Sequence, residues 1–184
     1  GIPGTVGGGI MMNAGTSHGS MENVLKSINV LLPTGDTRRI KKEALDFDYR
    51  KLSWSPELTD GHCDQTVILD GRFCLCPSDP EALKKTAREI IRTRKKRQPI
   101  GLPSAGCFFK NPASGETAGK LIEMAGLKGK SVGGAKISSK HANFFINRHK
   151  ASAADFLALI NLAEKVVLEK FNVHLEREVK VVGA

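Results

Sequence analysis

Gln98-Pro99-Ile100-Gly101-Leu102-Pro103 divides this sequence. Each proline lacks a backbone donor and clashes with a preceding helical turn, so no regular element crosses the run, and a domain boundary is expected there. Working back from it, Ser78-Asp79-Pro80 reads as a helix start. Leu83, Ala87, Ile90 and Ile91 then recur at helical spacing up to a basic end near Arg97. Further upstream, Val24 to Leu32 and Thr37 to Lys41 read as a hairpin joined by Pro33-Thr34-Gly35-Asp36. A third strand, Thr66 to Leu75, carries a turn or bulge signal at Asp70-Gly71. The opening residues, Gly1 to Gly9 and on to Gly15, are too glycine-rich for a regular strand.

Downstream of the boundary, Thr117 to Ala125 reads as a short helix stopped by Gly126. A tight turn follows at Gly133-Gly134, then a strand from Asn143 to Asn147. Ser152 and Asp155 have capping-box spacing before a long helix, whose stripe is Phe156, Leu159, Ile160, Ala163, Val166, Val167 and Phe171. Two closing strands are expected at Val173 to Leu175 and Glu178 to Val182. Strands and helices in segregated runs give an α+β class, with units 1–98 and 99–184.

The chain has 184 residues, 40% of them hydrophobic and 26% charged, which is ordinary material for one good core or two small ones. It contains no apolar run long enough to span a bilayer, and neither a signal peptide nor a membrane partner is expected. Cys63, Cys74, Cys76 and Cys107 fit no disulfide framework, so reduced thiols in a cytoplasmic protein are expected. A zinc site from His62, Cys63, Cys74 and Cys76 is disfavoured, since it would combine an adjacent pair with a CxC.

The net charge of +9 and the cluster Arg92, Arg94, Lys95, Lys96 and Arg97 raise the alternative of a basic nucleic-acid-binding module. That run lies at a helix end with no interleaved aromatics for base stacking. A solvated helix terminus is the better reading, and no nucleic-acid partner is expected.

Three stretches call for a reason beyond folding. The glycine loop lacks the GxGxxG and phosphate-loop patterns, and reads equally as a packing turn or as a backbone surface for a pyrophosphate or flat ring. Pro103 to Pro112 places a thiol, an ammonium and an amide together at Cys107, Lys110 and Asn111. With no histidine at a diagnostic spacing, the thiol reads as nucleophile, acid or inert packing group. Glu176 and Glu178 would ordinarily be solvated strand ends.

Taken in order, several motifs resemble the UDP-N-acetylenolpyruvoylglucosamine reductase (MurB) family over essentially the whole chain. They are GIPGTVGG at residues 1–8, MNAG at 12–15, Tyr49-Arg50, PSAGCFFKNP at 103–112, AGKLIEMAGLKG at 118–129, VGGAKIS at 132–138, KHANFFIN at 140–147 and EREVKVVG at 176–183. The absence of an extended tyrosine-bearing insertion is similar to the shorter subclass.

The resemblance implies the C-terminal portion of a vanillyl-alcohol-oxidase-type FAD-binding domain over 1–98 and a substrate-binding domain over 99–184. It implies reduction of UDP-N-acetylglucosamine enolpyruvate to UDP-N-acetylmuramate by NADPH through FAD, a step of peptidoglycan precursor synthesis. Gly1, Ile2, Pro3, Gly4, Thr5, Gly7, Gly8 and Asn13 fall on flavin-contacting motifs. Tyr49, Lys110, Asn111 and Glu123 fall on substrate-binding motifs. Arg50, Cys107 and Glu178 fall on the three catalytic positions.

Cys107 stands where the family usually has a serine as proton donor. A thiol, with an ordinary pKa of about 8.5, is the stronger acid of the two and still carries its proton at neutral pH. The family's flavin region begins well before the GIPGTVGG motif. The chain alone is therefore expected to lack part of the FAD cradle, to be inactive by itself and to self-associate through uncovered apolar surface.

Overall fold

A computed structural model describes residues 4–113 and 115–183. It forms two compact units, Gly1–Ser78 and Asp79–Ala184. The division falls at the start of the helix that precedes the Pro99 to Pro103 run, rather than at its end.

In the first unit the glycine-rich opening folds into a short helix, α1 (Val6–Met11), where an irregular loop was expected. The Thr5 hydroxyl caps it by accepting the Gly8 N–H at 3.1 Å, and fully buried Ile10 anchors it. Glycine costs a helix about 1 kcal/mol per residue, but here it permits close packing. A Cβ on Gly7 would lie 3.0 Å from the Ile68 carbonyl oxygen, and one on Gly9 would lie 3.1 Å from the Met21 methyl.

Two small strands follow, β1 (Gly15–Thr16) and β2 (Gly19–Ser20), and then β3 (Leu25–Leu31), β4 (Thr37–Lys41), β5 (Leu45–Asp48), β6 (Lys51–Trp54) and β7 (Val67–Phe73). An antiparallel sheet runs β4-β3-β7, and β5 and β6 form a separate hairpin. The Asp70-Gly71 signal is not a turn. β7 passes through it with the β3 pairing shifting register beside it, and Gly71 leaves room for Ile10, whose Cδ1 would lie 2.7 Å from an added Cβ. Ile10, Leu25, Ile28, Val30, Ile40, Leu52 and Trp54 make this unit's core. Beneath it Trp54 Nε1 donates to the hydroxyl of fully buried Thr59, and Cys63 Sγ lies 3.2 Å from that same oxygen. Cys63 is thus accounted for as a core polar partner.

The second unit opens with α2 (Pro80–Arg97), capped by the Asp79 carboxylate accepting from the Glu81 and Ala82 amides. Its basic run occupies the last turn, where cations offset the partial negative charge of the helix end. No residue of α2 is buried, and Leu83 and Ile91 on the expected stripe are exposed.

Next come β8 (Ser104–Cys107), α3 (Ala118–Met124), β9 (Ser131–Val132), β10 (Ala135–Ile137), β11 (Phe144–Asn147) and α4 (Ala153–Phe171). The antiparallel sheet order is β8-β11-β10-β9. The Ser152–Asp155 capping box forms as expected, and Leu159, Ile160, Ala163 and Val167 of the stripe are buried. Asp155 also accepts the Gly134 amide, and its carboxyl is held below the usual range by the backbone amides it accepts. Phe108 stacks on Phe145 at 4.6 Å, and Phe109 meets the same ring edge-on at 6.0 Å. Each buried phenylalanine contributes about 1.5–3 kcal/mol, making this aromatic group the centre of the core.

The two closing strands do not form. Residues 172–183 run without regular structure except for one antiparallel bridge, Phe109 to Arg177. Leu175 is buried and Val173 and Val179 pack partly buried against the same core, so the alternation that suggested strands reflects inward side chains on an irregular segment. No helix among the described residues is long and apolar enough to cross a membrane.

Candidate active site

Tyr49 and Arg50 form the two-residue turn of the β5–β6 hairpin, with Asp48 paired to Lys51 across it. The Asp48 carboxylate accepts the Tyr49 N–H at 2.6 Å. Arg50 adopts a left-handed conformation, φ +57°, with its guanidinium 4.9 Å from the Tyr49 ring centre. No Asn-Gly signal marks this turn, which is why sequence reasoning missed both strands.

Asn13, also left-handed at φ +39°, is buried beside the turn. Its amide donates to the Asp48 carbonyl at 3.2 Å and accepts from the Glu22 N–H at 3.1 Å. The end of the glycine loop is therefore tied to the Tyr49-Arg50 turn by a side chain whose donor and acceptor are both engaged within the protein. Gly4, Thr5 and Gly8 are exposed, Gly7 is half-buried, and a Cβ on Gly4 would meet nothing within 4 Å. Gly1, Ile2 and Pro3 lie outside the described residues.

In the second unit Cys107 ends β8, opposite Phe144, at a point where the β8–β11 register shifts. Gly106 just before it has φ +92°, a backbone that a side chain would strain, so this glycine turns the chain into the Cys107 position. Cys107 is half-buried.

The next three residues are held from two sides. On one, buried Asn143 serves as a surrogate strand: its Oδ1 accepts the Phe109 N–H at 2.9 Å, its Nδ2 donates to the Phe109 carbonyl at 2.8 Å, and its own carbonyl accepts the Phe108 N–H at 2.9 Å. On the other, the Glu178 N–H donates to the Phe108 carbonyl at 2.8 Å, and the Lys110 N–H donates to the Glu176 carbonyl at 2.8 Å. The sequence places Cys107 and Glu178 far apart, but the fold leaves them separated by one backbone hydrogen bond and one residue.

Lys110 and Glu176 form an ion pair at 2.5 Å, with Lys110 the less exposed partner. Asn111 Oδ1 accepts the Ala118 N–H at 3.2 Å, at the first residue of α3. Glu123, on α3, pairs with Lys128 at 2.9 Å. That contact, followed by the charges of Lys120 and His141, holds its carboxyl below the usual range. His141 stands near this pair, its Cε1 3.1 Å from where a Cβ on Gly119 would lie. Burial, reinforced by Lys128 and opposed by Glu123, pushes its pKa down. Its Nδ1 accepts the Asn143 N–H, which assigns the remaining ring proton to Nε2.

Asn143, Arg177 and His141 are the residues that sequence reasoning missed. Asn143 stood in a motif as an ordinary strand start, and only a buried amide inside an apolar run hinted at a partner requirement. Among the described residues no cluster of three His, Cys, Asp or Glu side chains is placed to hold a metal ion.

Three comparisons bear on the family and the fold. Residues 98–182 match the family model for the UDP-N-acetylenolpyruvoylglucosamine reductase C-terminal domain. The chain is 48% identical over its whole length to the UDP-N-acetylenolpyruvoylglucosamine reductase of Desulfosudis oleivorans, covering 58% of that protein, and 45% identical to that of Clostridium novyi, covering 57%. The crystal structure of the Thermus caldophilus UDP-N-acetylenolpyruvylglucosamine reductase matches 98% of the chain and is itself 62% covered, with a TM-score of 0.80 at 38% identity. The chain thus spans somewhat more than half the length of the relatives it matches. With the motifs, the second unit's α+β fold and these matches in agreement, the chain belongs to the UDP-N-acetylenolpyruvoylglucosamine reductase family, matching its C-terminal portion.

Proposed function

We propose that this chain supplies the substrate-reducing part of an NADPH- and FAD-dependent reductase that converts UDP-N-acetylglucosamine enolpyruvate to UDP-N-acetylmuramate in the cytoplasm, a step of peptidoglycan precursor synthesis. The observation that carries the reading is the juxtaposition of Cys107 and Glu178 through the Phe108 carbonyl and Glu178 amide. It supports the reading in which a thiol and a carboxyl group carried on linked backbone act together to deliver a proton to a developing carbanion. In this reading residues 1–98 belong to the FAD-binding domain and 99–184 form the substrate-binding domain.

The residues present fit a flavin nucleotide in kind. Gly4, Thr5 and Gly8 offer exposed, side-chain-poor backbone, and Gly4 has open space where a side chain would stand. FAD, when bound, supplies the hydride it has received from NADPH. The role of the chain's own residues is to orient the substrate and handle its proton and charge. Arg50 offers fixed donors to the substrate carboxylate as negative charge moves onto it. The Cys107 Sγ–H donates the proton that completes reduction, and Glu178 supports that transfer. Lys110, Asn111, Glu123 and Tyr49 bind the UDP-sugar, and Asn13 acts on the flavin side by fixing the loop against the Arg50 turn. Exposed Leu83 and Ile91 on α2 favour self-association of the chain by itself.

The test is single-turnover kinetics on the full-length enzyme. Cys107→Ala is expected to leave flavin reduction by NADPH intact and to slow flavin reoxidation by substrate about 100-fold or more, the range of a lost general acid. Cys107→Ser should retain appreciable reoxidation. An alanine variant with unchanged reoxidation sinks the assignment. Titration of the chain alone with FAD, followed by flavin fluorescence, establishes how much of the cofactor site it carries.

A further inference from the structure

Glu178 is carried by a segment with almost no regular structure, and what fixes that segment is a side chain outside the motif's catalytic position. Arg177 turns its guanidinium onto α4. Nε meets Glu164 Oε1 at 2.5 Å, Nη2 meets Glu164 Oε2 at 2.7 Å, and Nη2 also donates to Asn161 Oδ1 at 2.9 Å. Asn161 and Glu164 stand three residues apart on the helix and so share a face. The forked, two-point contact fixes orientation as well as distance, which an ammonium would not do. The hydrogen bonds to Glu164 raise the Arg177 pKa further above its ordinary value.

The main chain of the same residue forms the bridge to Phe109. The bonds on either side are Lys110 N–H to Glu176 and Glu178 N–H to Phe108. Arg177 therefore joins a rigid helix to the two places where the site's charged groups hang. We infer that Arg177, seated in the Glu164–Asn161 fork of α4, is a positioning residue for Glu178 and Lys110, setting the reach of both toward the substrate. The inference rests on the proposed role of Glu178 and Lys110, and it adds the element that determines where they stand.

The test uses the full-length holoenzyme and four variants: Glu178→Gln as reference, Arg177→Ala, Arg177→Lys and Glu164→Gln. Arg177→Ala is expected to slow flavin reoxidation by UDP-N-acetylglucosamine enolpyruvate about tenfold or more, while flavin reduction by NADPH and the thermal midpoint of the flavin-bound enzyme stay close to wild type. Arg177→Lys should recover part of the loss, and Glu164→Gln, which keeps its shape and one neutral acceptor, should show a smaller loss of the same kind. In parallel, amide exchange should quicken at Glu178 and Lys110 in Arg177→Ala, with protection retained at Phe145 in the core. If Glu178→Gln reoxidises slowly and Arg177→Ala at the wild-type rate, the positioning role is overturned. If Glu178→Gln itself reoxidises at the wild-type rate, the underlying site reading fails and the inference with it. Equal loss in both half-reactions in Arg177→Ala and Glu164→Gln alike marks a merely structural contact and also overturns it.

Discussion

Replacing Asn143 with alanine removes the side chain that pairs with both backbone groups of Phe109. Those bonds are 2.9 and 2.8 Å long, Asn143 is 3% exposed and Phe109 1%, so water has no easy route to the groups left behind. An orphaned buried donor or acceptor costs about 1–3 kcal/mol, and two of them give a loss of about 2–6 kcal/mol, a large part of the roughly 5–15 kcal/mol that holds a domain folded. With a urea dependence of about 1–3 kcal/mol per molar, the midpoint should fall by roughly 1 M or more. The signal must come from the second unit, because Trp54, the chain's single tryptophan, lies in the first. Far-UV circular dichroism of α4 or amide exchange at Phe109 serves. Asn143→Asp should be at least as damaging, since it keeps the acceptor, loses the donor and buries a charge. A midpoint shift under roughly 0.3 M for Asn143→Ala would falsify the claim that this amide acts as a buried strand surrogate.

Gly134→Ala should lower the thermal midpoint of the second unit. The new Cβ would lie 2.4 Å from the His149 carbonyl oxygen and 2.6 Å from the Ala151 nitrogen, backbone atoms that cannot swing aside, at a cost of about 1–3 kcal/mol. An unchanged midpoint contradicts that geometry. His141 has a folded pKa below its ordinary 6.5, so the unfolded chain takes up the proton first. Its contribution to stability is complete above pH 6.5 and declines as pH falls from there toward the folded value. Denaturant midpoints from pH 7.5 to 5 should show a decline that His141→Gln reduces, and parallel profiles for the two proteins speak against it. Arg50→Gly should stabilise the β5–β6 hairpin by about 1 kcal/mol by relieving its left-handed backbone, while slowing flavin reoxidation sharply. A glycine variant that is both less stable and fully active refutes each half of that statement.

Much of this was legible from residue order because local chemistry and fold agree. Asp79-Pro80 caps α2, Ser152 and Asp155 box the start of α4, and Leu159, Ile160, Ala163 and Val167 of the stripe are buried. The misreadings occurred where tertiary contacts override local preference. The glycine-rich start is helical because Ile10 and the close approach to Ile68 reward it, and residues 172–183 alternate like a strand but pair only at the Phe109 to Arg177 bridge and the two backbone bonds beside it. For the candidate site, motif positions nominated Cys107, Glu178 and Arg50, but no spacing rule announces that the Glu178 amide binds the backbone next to Cys107. The supporting residues were silent for the same reason. An asparagine or arginine that satisfies a distant backbone group or helix face carries no local periodicity.

The turn at Tyr49-Arg50 has a consequence for protein engineering. Sequence optimisation that scores only backbone preference would exchange Arg50 for glycine or asparagine, and a library sorted by thermal survival would drift the same way. Enrichment at that position under selection for stability, followed by its reversal under selection for growth, would mark the arginine as retained for chemistry. The same paired selection applied at Lys150, whose φ is +49° outside any proposed site, supplies the internal control.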